Sequence, residues 1–323
     1  MKRFLLLLTI FITCVFSAQI MINKLVAPRL PFTLGIPGIS NLDKYLYLDY
    51  KILYFGDSVI KYSGPKDTDK SSISELLAKS SPTTSIADIS SPAYHLKVFE
   101  AMLNYISNSS HKPEAIIIPV NLRSFSPSWD MAPGDQFENE IFYLNHHFLS
   151  YFSKPLNILQ AIKTKALSEE TFMATPVYYG QEKIGIVKNF TDIKNPDMSE
   201  EDILKNKYIF YYMYDLSEDH RFIRSLKKII EIADKTNIKL YVYITPIDFE
   251  GGTKYVGSDF AEQTKNNTKK ICAILEINNL PCLNLAFDLD SGYFDFDEFP
   301  NEHLNEQGRK YVADKLKESI ADK

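Results

Sequence analysis

Short apolar runs that stop abruptly at polar or turn-forming residues, separated by stretches of helical periodicity, constrain this 323-residue chain more than any other feature. Lys51 to Phe55 ends at Gly56, Ala115 to Val120 ends at Asn121, and Lys239 to Ile244 ends at Thr245-Pro246. Thr84 to Ile89 and a stretch near 283–287 are weaker strand candidates. Between them, Ser72 and Glu75 have the spacing of a capping box before Leu76 and Leu77. Tyr94 to Ile106, Arg221 to Ala233, residues 262–276 and Glu306 to Ile320 carry apolar residues at i, i+3 and i+4 spacing. Strands that are apolar on both faces need helices over both, so the pattern predicts an α/β fold with an open, mostly parallel sheet. With 45% hydrophobic residues, the chain holds enough apolar material for one such domain. It is read as residues 51–323, after a linker over 23–50. Pro127 to Asp215 fits the alternation poorly and is expected to be either an inserted, cap-like region beside the site or an ordinary helical excursion.

Residues 1–22 set the expected compartment. Met1-Lys2-Arg3 precede an apolar stretch from Phe4 to Ile22, a signal peptide or an N-terminal transmembrane anchor that leaves the body extracytoplasmic, in the periplasm or at the cell surface. A cut after Ser17 is more acceptable than one after Ala18, which would put bulky Phe16 at the third position before it. Phe11-Ile12-Thr13 lacks the small residues that would make Cys14 a lipidation site.

The charge balance, 36 Lys+Arg against 41 Asp+Glu, comes without long runs of one sign, so no nucleic-acid partner is expected. Cys272 and Cys282 lie ten residues apart, and in an exported chain a disulfide between them is permitted. Neither those thiols nor the scattered histidines have metal-ligand spacing; no metal and no other cofactor is predicted.

In open α/β sheets the chemistry gathers where strands end at their carboxyl edges. Gly56-Asp57-Ser58 follows the first run, Asn121-Leu122-Arg123-Ser124 the third and Thr245-Pro246-Ile247-Asp248 the fourth; Asn301-Glu302-His303-Leu304-Asn305 precedes the last helix. A serine on a tight strand-to-helix turn needs only a base to become a nucleophile, and His303 is the histidine placed to serve. Asn121 is a candidate oxyanion donor. Arg123 is a candidate for positioning an anionic substrate, or else a structural ion pair at the sheet rim along with Asp248. Trp129, Phe125 and Tyr94 either stack on sugar rings or pack in the core.

With these residues the chain resembles the SGNH/GDSL hydrolase family: Tyr54-Phe55-Gly56-Asp57-Ser58 corresponds to its first block, Asn121 to its third, and Glu302-His303-Leu304-Asn305 with Gly308 to its last. The resemblance spans about Lys51 to Lys317. It implies a flavodoxin-like three-layer α/β/α sandwich, Ser58 as nucleophile, His303 as base, and the Ser58 N–H with Asn121 as oxyanion donors. The chain departs from the family pattern in three places. The second-block glycine is replaced within Ala87-Asp88-Ile89-Ser90-Ser91-Pro92, leaving a backbone N–H of Ser90 or Ser91 as a substitute. Pro119 stands where the third block has glycine, and Pro300 where the acid precedes the histidine by three. Asp297 is favoured for that acid over Glu302 and Asp295, because a residue immediately before the histidine points elsewhere.

Together with the N-terminal segment, these departures resemble the branch that includes bacterial cell-envelope polysaccharide O-acetyltransferases. That resemblance implies ester transfer or hydrolysis on a glycan outside the membrane, with a membrane protein as a possible acyl donor. The competing expectation is a non-catalytic glycan-binding or envelope-assembly protein that keeps the fold. The distance between the Ser58 hydroxyl and the His303 ring separates the two.

Overall fold

The computed structural model describes residues 1–21, 37–126, 129, 137–146, 199–295 and 302–321. Five parallel strands form one sheet: β1 (Ile52–Gly56), β2 (Ile86–Ser90), β3 (Ala115–Val120), β4 (Lys239–Ile244) and β5 (Leu283–Asn284), in the order β2-β1-β3-β4-β5. This is the flavodoxin-like order, and the direction of winding reverses between β1 and β3. Leu53 beside Ile116 and Ile52 beside Ala115 set the register across that boundary.

Alternation along each strand divides the core in two. Leu53, Phe55, Ile116, Ile118, Leu240 and Val242 face one side. There they meet α5 (Leu96–Ser107), α8 (Arg221–Thr236) and α10 (Ser258–Ile277). Ile52, Tyr54, Ile117, Tyr241 and Tyr243 face the other, against α4 (Ile73–Ser80) and α11 (Glu306–Ala321). The result is a three-layer α/β/α sandwich. Each large apolar side chain that α8 buries, such as Phe222, Leu226 and Ile229, contributes about 1.5–3 kcal/mol. The two tyrosines on the second face satisfy each other, Tyr54 Oη lying 2.6 Å from Tyr243 Oη. The capping box at Ser72 and Glu75 forms as the spacing predicts.

One boundary expected from sequence needs correction. Residues 37–47 are not linker but helix α2 (Pro37–Tyr47), whose Leu42 and Leu46, one helical turn apart, are buried in the first core. The end of the poorly fitting stretch is helix α7 (Glu200–Tyr212), which buries Tyr208, Ile209, Phe210, Tyr211 and Tyr212. The rest of it, apart from Trp129 and α6 (Glu138–His146), lies outside the described residues.

Helix α1 (Lys2–Met21) carries exposed Phe4, Leu5, Phe11 and Phe16. Among the described residues no helix is long and apolar enough to cross a membrane. Cys272, near the end of α10, is bonded to Cys282 just before β5, with the Cα atoms 5.2 Å apart.

Candidate active site

Strand β1 delivers the nucleophile candidate. Gly56 lies beside Ser90 of β2, and a Cβ there would run into the Ile60 side chain and come within 3.1 Å of the Ser90 Cβ, so the turn needs glycine. Asp57 then caps α3 (Ser58–Lys61): its Oδ1 accepts from the Val59 N–H at 2.9 Å. Ser58 is thereby the first residue of the helix, half-buried at the carboxyl edge of the sheet beside the winding reversal.

His303 arrives from the opposite end of the sequence. Phe294 and Leu304 pair as an antiparallel bridge, the Asp295 N–H donates to the His303 carbonyl at 2.9 Å, and Asn305 caps α11 through the Gln307 and Gly308 N–H groups at 3.1 Å. This anchorage brings His303 Nε2 to 3.0 Å from Ser58 Oγ, across 245 residues of sequence. Tyr62 lies flat on the imidazole, the rings 4.1 Å apart and 9° from parallel, and its hydroxyl donates to Asp295 Oδ2 at 3.1 Å. Burial, with the nearby Arg123 charge, pushes the His303 imidazole down to about 3, so it rests neutral.

The carboxylates divide clearly. Asp297, favoured as the acid behind His303, lies outside the described residues. Asp295 is engaged by the Tyr62 hydroxyl. Glu302 is fully buried and turns away from the imidazole that follows it: its Oε1 accepts from the Arg123 N–H at 3.3 Å and the Tyr212 hydroxyl at 3.2 Å. Burial, only partly offset by Arg123, pushes its carboxyl up to about 7.

The expected oxyanion donors are partly occupied. Asn121 Nδ2 donates to Asp57 Oδ2 at 3.0 Å, which leaves its second amide hydrogen for a ligand. The Ser91 N–H donates to the Gly56 carbonyl at 3.2 Å, so it does not replace the missing glycine's donor; the Ser90 hydroxyl turns to Asp88. Arg123 takes the ion-pair alternative, with Asp57 as its partner. It is 4% exposed, with its guanidinium 4.6 Å from the Trp129 ring centroid and 5.6 Å from that of Tyr211, and Nη2 lies 3.8 Å from Asp57 Oδ2. A guanidinium so placed fits the ion-pair alternative better than substrate positioning. Asp248 likewise serves the fold: it caps α9 (Phe249–Val256) and accepts from the Tyr208 hydroxyl and from Ser291 Oγ, the latter at 2.7 Å. Tyr94 is buried in the first core beside Phe137, and Phe125 beside Phe222, as packing residues.

Among the described residues no group of three or more His, Cys, Asp or Glu side chains could hold a metal ion. Sequence reasoning missed Tyr62 and Tyr212. The one signal for Tyr62 was its place four residues after Ser58, on the same side of a first helical turn.

No family model and no curated protein matches the sequence. Among solved structures, a variant of an acetyl-xylooligosaccharide esterase from Geobacillus stearothermophilus is similar over 84% of this chain and 94% of its own, with 11% identity and a TM-score of 0.40. A catalytic mutant of an acetylxylan esterase from Geobacillus stearothermophilus gives 10% identity and a TM-score of 0.39 over the same shares. Similarity at that level says nothing about this chain's chemistry.

Proposed function

We propose that the protein is a serine-dependent hydrolase or O-acyltransferase of acyl esters. The observation that carries this reading is the 3.0 Å contact between Ser58 Oγ and His303 Nε2 at the carboxyl edge of the sheet. Ser58 attacks the acyl carbonyl while His303 takes its proton; the Ser58 N–H and the second amide hydrogen of Asn121 receive the oxyanion. Collapse releases the alcohol, which takes the proton back from His303, and leaves an ester on Ser58. Water or a second hydroxyl then attacks that ester, again through His303. Burial keeps the imidazole neutral and ready to accept, yet also weakens it as a base. A carboxylate behind the ring restores its strength, the part we assign to Asp297.

The finer reading is an extracytoplasmic enzyme acting on a cell-envelope glycan. It is supported by the basic-then-apolar residues 1–22, by the Cys272–Cys282 bond, which suits an oxidising compartment, and by the family-branch resemblance. A glycan-binding protein without catalysis is the second reading, favoured by the engagement of the Asn121 amide with Asp57 and of the Ser91 N–H with Gly56.

Intact-mass labelling with a fluorophosphonate probe tests the choice. Wild type is expected to gain one adduct, and Ser58→Ala and His303→Ala none, with hydrolysis of 4-nitrophenyl acetate falling by roughly three or more orders of magnitude in either variant. A folded wild type that takes no label would rule the enzyme out in favour of the binding protein.

A further inference from the structure

The residue before the nucleophile and the residue before the base meet at a single residue. Asp57, which precedes Ser58, lies 3.8 Å through Oδ2 from Arg123 Nη2. Glu302, which precedes His303, accepts the Arg123 backbone N–H at 3.3 Å, and its charge acts on the guanidinium in the same direction as that of Asp57. Asp57, Arg123 and Glu302 are 3%, 4% and 0% exposed, so water screens none of these interactions. Resting on the reading of Ser58 and His303 as a catalytic pair, we infer that Arg123 is a positioning residue: it clamps the Asp57 and Glu302 backbones together and so sets the reach of His303 to Ser58.

Three observations argue for a clamp rather than a substrate site. The guanidinium lies against the Trp129 and Tyr211 rings, in a side chain that is almost wholly buried. Arg123 is the second residue of the short 3₁₀ turn Leu122–Phe125 directly after β3, where the Asn121 side chain accepts its N–H at 3.0 Å, so its backbone is fixed to the sheet. Finally, Arg123 Nε and Glu302 Oε2 are both buried with no hydrogen-bond partner among the described residues. An arginine that served stability alone would have its donors filled. Here the attraction is mainly electrostatic, and it acts on both strand-edge segments at once.

The same probe tests the clamp, read as the rate of Ser58 modification alongside the urea unfolding midpoint. Arg123→Lys keeps the charge but presents one compact ammonium instead of a planar fork. It is expected to fold and to label at least tenfold more slowly, with kcat on an acetyl ester falling in parallel and KM within about threefold. Glu302→Gln keeps an acceptor for the Arg123 N–H and the Tyr212 hydroxyl and is expected to lose three- to tenfold. It also carries the test if Arg123→Lys does not fold. Wild-type labelling rates in folded Arg123→Lys, or in folded Glu302→Gln when only that variant folds, overturn the clamp and leave the enzyme reading intact. A folded wild type that never labels overturns both.

Discussion

Among the described residues two arginines are buried, Arg123 beneath the candidate site and Arg309 in helix α11, and they are held in opposite ways. Every side-chain nitrogen of Arg309 has a partner. Its Nε donates to the Ser71 carbonyl at 3.0 Å, Nη1 to Asp67 Oδ2 at 2.7 Å and the Leu304 carbonyl at 2.9 Å, and Nη2 to the Asp69 carbonyl at 2.6 Å. Those bonds fasten the loop after α3 to the segment that carries His303. Arg123 instead faces aromatic rings and the Asp57 carboxylate, its Nε unfilled among the described residues. A buried cation whose nitrogens all meet fixed acceptors is a structural fastening, whereas one left partly unmatched acts through its field on neighbouring groups. The difference separates what holds the site together from what tunes it.

The largest effect should come from breaking the arginine whose nitrogens all have partners. Arg309→Met leaves the Asp67 carboxylate and three carbonyls behind and is expected to cost about 3–5 kcal/mol in urea unfolding. Arg123→Met leaves Asp57 its bonds from Val59 and Asn121, and leaves Glu302 a carboxyl that readily takes a proton. Its expected cost is about 1–3 kcal/mol, with a greater loss of labelling rate than of stability. Equal destabilisation by the two substitutions, with labelling simply tracking the folded fraction, would erase the contrast.

The pH dependence of stability sharpens the same comparison, because the carboxylates beside the two arginines move in opposite directions. Burial opposes the Asp67 charge, but the Arg309 bond and the Glu306 and Gly64 N–H groups outweigh it and hold its carboxyl below the usual range. Asp67 therefore adds stability that is present above its unfolded value, about 3.9, and is lost as pH falls through the lower folded value. Glu302 is pushed up to about 7 by burial, despite Arg123, with the Asp57 charge adding to the shift. The folded protein holds that proton more tightly, so the stability it contributes is present below about 4.3 and is lost as pH rises through 7. His303, pushed down to about 3, works the other way between 3 and about 6.5, so wild type alone would show a blurred profile. The difference between Glu302→Gln and wild type isolates the carboxyl: the variant should gain relative stability from about pH 4.5 to 7.5, by up to about 3 kcal/mol, and hold it above. A difference that stays flat across that window would mean that Glu302 is ionised throughout.

Much of this arrangement is legible in the order of residues along the chain. Strand-length apolar runs mark β1, β3 and β4, and helical spacing marks α8 and α11, because burial on both faces of a sheet leaves a strong pattern. Ser58 and His303 stand out because the carboxyl edge of such a sheet collects the loops that carry chemistry. What escaped were features decided by tertiary contact. The Leu42 and Leu46 pair of α2 follows a long apolar segment and offers only one turn of periodicity. Glu302 belongs to a residue type almost never fully buried unless paired, and its partner is 179 residues away, so no local spacing announces the pair. The same distance hid the inward turn of Arg123, whose place at a strand edge left a substrate contact open beside the ion pair that it makes with Asp57.

The smallest effect should fall between the two arginines, at Tyr62. This residue lies in the loop that Arg309 fastens, while its ring rests on the imidazole whose approach we assign to Arg123. Tyr62→Phe keeps the stacked ring and removes the hydroxyl that donates to Asp295. One part-buried hydrogen bond to a carboxylate contributes about 1 kcal/mol or a little more, and little of that bears on the His303 ring itself. The labelling rate should therefore fall no more than about threefold. Tyr62→Leu removes the flat surface as well and lets the imidazole tilt, for an expected tenfold loss in kcat with KM nearly unchanged. A rate lower in Phe than in Leu would make the hydroxyl, not the ring, the support of His303, and would assign that support to Asp295 on the bridge that Arg309 braces.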